Sequence, residues 1–336
     1  MPMATDNKSS SLWYAIEERG VYLGMRAMFF AYSLFGRVGF SIFLYPVMTY
    51  FFLASPTARR ASLEFLSRVQ EHAKAVSASS RPPGWRQSFR HFLTFGETVL
   101  DKLAAWRGDI GLKDIDYVNR EQFEALQASG KGCVLIASHL GNMEVCRALG
   151  SLYRDLKINV LVHTKHSGNF NRLMQKVNPR AMLSLIQVTE VGLETAAMLS
   201  EKVDHGEFVV IVGDRTPVGQ SSRITWLPFL GRPAPFPQGP FILAAVLQCP
   251  VLLIFCLKRR NRYCIIFESL ADGIELPRRR RAQALSFWMS RYVERLQHYC
   301  VSDPYQWFNF FDFWRQASTI SPDRESGGAC PDKYSV

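Results

Sequence analysis

Five consecutive apolar residues, Cys133-Val134-Leu135-Ile136-Ala137, are bounded by Gly132 on one side and by the polar pair Ser138-His139 on the other. A run this short does not make a lone helix, and its unbroken apolarity marks a strand buried on both faces of a parallel sheet. The chain then turns through Gly141 and Asn142 into residues 143–149, a stretch of helix-forming composition. Asn142 is the N-cap candidate and Glu144 stands in the first turn. A buried strand feeding a helix predicts an α/β fold, with a mostly parallel central sheet flanked by helices. It also puts His139 at the carboxyl edge of that sheet, where open α/β sheets bind their ligands.

His139 and Glu144 are five residues apart, so they do not stack on one helix, where the intervals are three and four. They meet only if the histidine precedes the helix and the turn folds it back. In that geometry Glu144 holds one imidazole nitrogen and leaves the other free as a general base for a hydroxyl attacking an acyl carbonyl. The spacing alone fits equally well a histidine closing a strand and a surface glutamate. Ser138 is discounted as a nucleophile, because neighbours on a strand point to opposite faces. The chain also lacks a G-x-S-x-G elbow.

Two further apolar runs deliver polar residues at their ends. Residues 208–212 lead into Gly213-Asp214-Arg215-Thr216-Pro217, where Asp214 is an acceptor and Arg215 a planar donor suited to phosphate or an oxyanion. A structural Asp-Arg pair closing the strand is the competing reading. Residues 158–163 form a strand followed by a cluster of His163, Lys165, His166, Asn171 and Arg172, with a helix expected over 170–177. Residues 223–229 read as an edge strand beginning at Arg223, and a helix over 241–248 follows Gly239-Pro240.

Taken together, SHLGNMEV after the strand, GDRTP, FLGRPAPFPQGP and PYQW resemble the lysophospholipid acyltransferase superfamily, whose signature is H-x-x-x-x-D/E. The chain is most similar to its bacterial lipid A late acyltransferases, which transfer lauroyl and myristoyl groups, and the resemblance covers residues 13–314. It implies a glycerolipid acyltransferase-like fold with an N-terminal membrane-associated helix. The implied reaction moves a fatty acyl group from an acyl-carrier-protein thioester, or from acyl-CoA, to a hydroxyl of a lipid. His139 and Glu144 take the catalytic positions. Asp214, Arg215, His163, Asn171, Arg223 and Gly231 become substrate-binding candidates, Gly231 through the F-x-G-x-x-A block at 229–234. No cofactor or metal is implied, and the expected location is the bacterial inner membrane with the catalytic domain facing the cytoplasm. GDRTP and the TKHSGN stretch diverge from the lipid A pattern, so the acceptor stays open between lipid A-type and aryl-polyene-type lipids.

Charge narrows the partners further. The net charge of +11 calls for acidic ones, and no zinc-finger spacing or RNP-like strand points to nucleic acid. Basic runs at 258–262 and 278–281 are candidate contacts for lipid headgroups or an acidic carrier. Seven cysteines without a C-x-x-C pair fit a reducing compartment. Residues 38–53 are apolar but slightly shorter than the ~20 residues that span a bilayer upright. They are expected to lie on or cross a membrane, or else to form a buried core helix. The predicted organisation is a membrane-anchoring segment over 1–57, an acyltransferase domain over 58–316 and a polar, disordered tail over 317–336. A non-catalytic lipid-binding scaffold keeping the fold is the alternative from another class.

Overall fold

The computed structural model describes residues 18–74, 82–150, 156–162, 184–187, 192–215 and 223–314. His163, Asn171, the helix expected over 170–177 and the tail from 317 lie outside them.

The expected α/β sheet is present, with seven strands: β1 (Ile115–Val118), β2 (Cys133–Ala137), β3 (Ile158–Val162), β4 (Ser184–Gln187), β5 (Phe208–Val212), β8 (Val251–Arg259) and β9 (Arg262–Ala271). Their order is β1-β9-β8-β2-β5-β3-β4. All neighbouring pairs are parallel except β8 and β9, which form a hairpin. Arg260 and Asn261 at its tip both have positive φ, 47° and 68°, as the tight turn of a twisted hairpin requires. The edge strand β1 carries no apolar run in the sequence; it exists because Ile115 to Val118 pair with β9.

β2 lies inside the sheet between β8 and β5 and is buried along its whole length. Val134 and Ile136 face a core built with α2 (Pro56–Lys74), α6 (Leu193–Asp204), α7 (Gly239–Leu247) and α8 (Arg281–Ser302). Cys133, Leu135 and Ala137 face the other side, toward α1 (Glu18–Ala54), α3 (Trp85–Arg107), α4 (Arg120–Ala128) and α5 (Met143–Gly150). The two-residue period of the strand thus assigns its side chains to two different layers.

α1 is broken at Gly36, whose φ of 64° no helix accommodates. Beyond the break, Phe40, Leu44 and Met48 recur every four residues and are buried. They dock on α3 at Gly96, where a Cβ would come within 2.7 Å of Leu44 Cδ1. The other side of the helix leaves Ile42, Tyr50 and Leu53 about two-thirds exposed. Neither a fully buried core helix nor a simple span describes it. No single helix among the described residues is long and apolar enough to cross a membrane; Gly39–Ala54 and Pro56–Lys74 pass only as a pair bent by 95°.

The strand expected over 223–229 forms as β6 (Ile224–Phe229), but it is no edge of the main sheet. It pairs only with β7 (Arg232–Pro237), in a separate ribbon. Three prolines in β7 deny it ladder donors and suit it to a two-stranded ribbon. The ribbon turns at Leu230 and Gly231, both at positive φ, and α8 holds it through a 2.7 Å bond from the Leu230 amide to Gln297 Oε1.

After β2 the chain reverses in a turn clamped from two sides. The Gly141 amide donates to Gln306 O at 2.8 Å, and the Asn142 amide to Cys256 O at 2.8 Å. Gly141 has φ 78°, and a Cβ there would lie 1.9 Å from Cys256 O. Both the backbone angle and the strand behind it demand glycine. Gly141→Ala is therefore expected to destabilise the fold by at least ~2 kcal/mol. Urea midpoints of the two proteins check this, and an unchanged midpoint would show that the turn relaxes freely.

Candidate active site

His139 is the second residue beyond β2 and Asp214 the second beyond β5, the strand paired beside it, so parallel register brings their backbones together. The His139 amide donates to Asp214 Oδ2 at 2.9 Å, and Nδ1 lies 2.8 Å from Oδ1. A third bond reaches the same carboxylate from Trp307 Nε1, at 2.9 Å to Oδ2. Asp214 is fully buried. Burial pushes its carboxyl up, but the charge and hydrogen bond of His139, the charge of Arg215 and the indole of Trp307 outweigh it and hold the carboxyl below its ordinary value. An ionised carboxylate only accepts, so the proton sits on Nδ1 and the Nε2 lone pair is left for a substrate.

Glu144 does not take the place expected of it. Its carboxylate accepts from Trp106 Nε1 at 3.3 Å and pairs with Arg147 Nε at 2.9 Å, while the imidazole turns to Asp214. The clamped turn explains the difference: it sends α5 toward α3, so Glu144 meets α3 while His139 stays against β5. Glu144 still borders the same cavity as His139. Asn142 does not cap α5 with its side chain either; its amide donates to Thr98 O at 3.1 Å and Tyr263 Oη at 3.3 Å. The Tyr263 hydroxyl donates in turn to Asp101 Oδ2 at 2.7 Å, an oxygen that also takes Lys258 Nζ at 2.7 Å.

Arg215 is placed by the C-terminal aromatic block, donating from Nε to Asn309 Oδ1 and from Nη2 to Phe308 O, each at 3.0 Å. It lines the cavity with His139. Arg223 and Gly231 are exposed, at the start and the tip of the β6–β7 ribbon, and neither lines that cavity. The basic runs separate as well. The hairpin run projects beyond the His139 edge, but Arg259 pairs with Asp303 and Arg262 with Asp116, each at 2.7 Å. The run 278–281 is exposed and follows the opposite end of β9, away from His139.

Trp307 is the site residue that sequence reasoning missed. It is fully buried, and its carbonyl is held by His91 Nε2 at 3.1 Å. His91 Nδ1 lies 3.0 Å from Ser62 Oγ, which in turn accepts from Ser88 Oγ at 3.0 Å. A carbonyl only accepts, so Nε2 carries a proton, and complete burial disfavours a second one on Nδ1. A chain of hydrogen bonds thus runs from α2 and α3 through Trp307 and Asp214 to the imidazole of His139. The only sequence signal for this role was the P-x-Q-W block itself.

The cavity that His139 opens onto has a volume of about 460 Å³. Its floor is one face of the sheet, supplied by alternate residues: Leu135 and Ala137 from β2, Val210 and Val212 from β5, Ile158 and Val160 from β3. Helices α3, α4 and α5 close it from above with Phe95, Phe123, Met143 and Cys146. Such a space suits a long apolar chain with its reactive end at the imidazole. Among the described residues, no group of three or more His, Cys, Asp or Glu side chains is disposed to hold a metal.

A carboxylate-anchored histidine thus stands at the carboxyl edge of a covered α/β sheet and opens onto a largely apolar cavity. The chain matches the family model of the bacterial lipid A biosynthesis acyltransferases over residues 91–316, and it belongs to that family. It is an acyltransferase acting on lipid. No curated relative matches it.

Burial lowers the His91 pKa to about 3, with the bond to Trp307 opposing. A histidine depressed in the folded state contributes stability that is complete above its unfolded pKa of 6.5 and is lost as pH falls toward 3. Between pH 7 and 5 this one group is expected to cost about 2 kcal/mol, at ~1.4 kcal/mol per unit below 6.5. His91→Gln should remove that much of the pH dependence of urea unfolding. A variant with the wild-type slope would mean that His91 protonates without penalty.

Proposed function

We propose that the protein transfers a fatty acyl group from an acyl-carrier-protein thioester to a hydroxyl of a membrane lipid, of the lipid A or aryl-polyene type. The observation that carries this reading is the Asp214-anchored imidazole of His139, with Nε2 available, at the mouth of a largely apolar cavity. The acyl chain lies in the cavity with its thioester carbonyl at His139. Nε2 takes the proton of the acceptor hydroxyl as that oxygen attacks the carbonyl. Asp214 fixes the tautomer and stabilises the imidazolium that forms, and Arg215 is the cation for the developing oxyanion. Collapse of the tetrahedral intermediate expels the carrier thiolate, which recovers the proton from the imidazolium. Glu144 then serves the cavity wall, holding Arg147 and Trp106 in place, rather than the base.

Mass spectrometry of lipid extracts from cells carrying the wild-type gene, its deletion, His139→Ala or Asp214→Asn tests the assignment. A lipid that lacks one acyl chain in the deletion and in both variants is expected, since either substitution lowers turnover at least ~100-fold. A lipid lost in the deletion but made normally by His139→Ala would leave the fold acting as a scaffold without this base.

The acceptor reaches the site from a membrane surface, inner-membrane and cytoplasmic in this reading. The exposed side of α1, with Ile42, Phe43, Tyr50 and Leu53, supports it: a contiguous aromatic and aliphatic face next to the basic Arg60 and exposed Trp85 suits the headgroup boundary. Replacing Ile42 and Tyr50 by serine should lower co-flotation with anionic vesicles about tenfold or more, at ~1.5–3 kcal/mol for each large side chain withdrawn from lipid. Unchanged flotation would move the contact to another surface.

A further inference from the structure

The apolar floor of the cavity is bordered by a few charged side chains, and one of these, Lys102, is a cation that the reaction above does not use. Lys102 is enclosed by protein yet keeps accessible surface, because the space it faces is the cavity. It forms no hydrogen bond or ion pair with any described residue. Its neighbours are already engaged: Glu144 binds Arg147 and Trp106, the Arg147 guanidinium also stacks 4.5 Å over the Trp106 ring, and Arg215 holds Phe308 O and Asn309. Burial lowers the lysine pKa; Glu144 opposes this, and Arg147 and Arg215 add to it. An ammonium that has no acceptor among the described residues and faces a largely apolar cavity is placed for a ligand oxygen to complete it.

The position of Lys102 sets which ligand atom it meets. It lies one turn along α3 from Thr98, whose carbonyl holds the side chain of Asn142, and it stands near Glu144 in the first turn of α5. It borders the cavity with His139 and lies within electrostatic reach of Glu144, Arg147 and Arg215, so in the acyl-transfer reading it stands near the end of the cavity that holds the reacting carbonyl and the first carbons of the chain. An ammonium only donates, so its partner there is an acceptor oxygen on the chain itself. We propose that Lys102 is a specificity-determining residue that hydrogen-bonds an oxygen substituent on the first few carbons of the acyl chain, so that the favoured donor is a hydroxyacyl or ketoacyl thioester. A saturated chain fills the same space but leaves the ammonium unpaired, and sites built to bond a substrate oxygen discriminate strongly against analogues that lack it.

This inference rests on the acyl-transfer reading, and the experiment separates the two. Purified full-length protein is offered a 3-hydroxyacyl-carrier-protein thioester and its unsubstituted counterpart of equal length, with membrane lipids of the deletion strain as acceptor. Mass spectrometry of the lipids gives kcat/KM for each donor. The wild type is expected to favour the hydroxyacyl donor at least tenfold. Lys102→Met should erase that preference by lowering kcat/KM for the hydroxyacyl donor alone, with a Tm no lower than the wild type, since it removes a desolvated charge. Lys102→Gln, which keeps a donor, should restore part of the preference. Equal use of both donors by the wild type overturns the inference, and so does a Lys102→Met variant that loses both donors alike, which would place the ammonium at the thioester carbonyl. Transfer of neither donor would instead overturn the acyl-transfer reading.

Discussion

Asp214 accepts three hydrogen bonds while fully buried: two from His139, through its amide and its ring, and one from the Trp307 indole. A desolvated carboxylate is tolerated only when its lone pairs are taken up, and here a backbone amide, an imidazole and an indole take them up. The interaction fixes the tautomer of His139 and the direction of its ring. It also ties together three segments distant in the chain, since Trp307 reaches back through its carbonyl to His91 on α3.

The rest of the architecture supplies what this contact requires. Parallel pairing of β2 with β5 brings the ends of the two strands to one edge, and the clamped turn at Gly141 lets the chain leave that edge without displacing the histidine. The C-terminal block closes the arrangement from outside: Gln306 holds the turn, Trp307 the carboxylate, and Phe308 and Asn309 the Arg215 guanidinium. One face of the same sheet makes the apolar floor of the cavity. The edge that carries His139 and the floor of the cavity are therefore two aspects of a single run of strands, and α3 and α5 add to the cavity wall charges at Lys102, Glu144 and Arg147.

Much of this was legible beforehand because it depends on local pattern. The apolar runs of β2, β3, β5 and β8 announce buried parallel strands, and residues at their ends fall at the ligand-binding edge whatever the details. His139, Asp214 and Arg215 were found in that way. The four-residue string β1 was not, since it is made a strand by pairing with β9 and not by its own composition. The ribbon of β6 and β7 was half legible: three prolines mask a strand that needs few ladder donors. Trp307 resembled one more aromatic in a run of aromatics.

The sequence by itself determined the buried parallel strands, most of the helices and the histidine's place at the carboxyl edge, because hydrophobic period and turn residues act over a few neighbours. Which acid serves the histidine was decided by tertiary structure alone. Glu144 is five residues away in the chain and Asp214 seventy-five, yet the turn points the nearer carboxylate at α3 while parallel register delivers the farther one to the imidazole. Proximity in sequence limits only how far apart two groups can be; the hydrogen bonds of the folded chain choose between them.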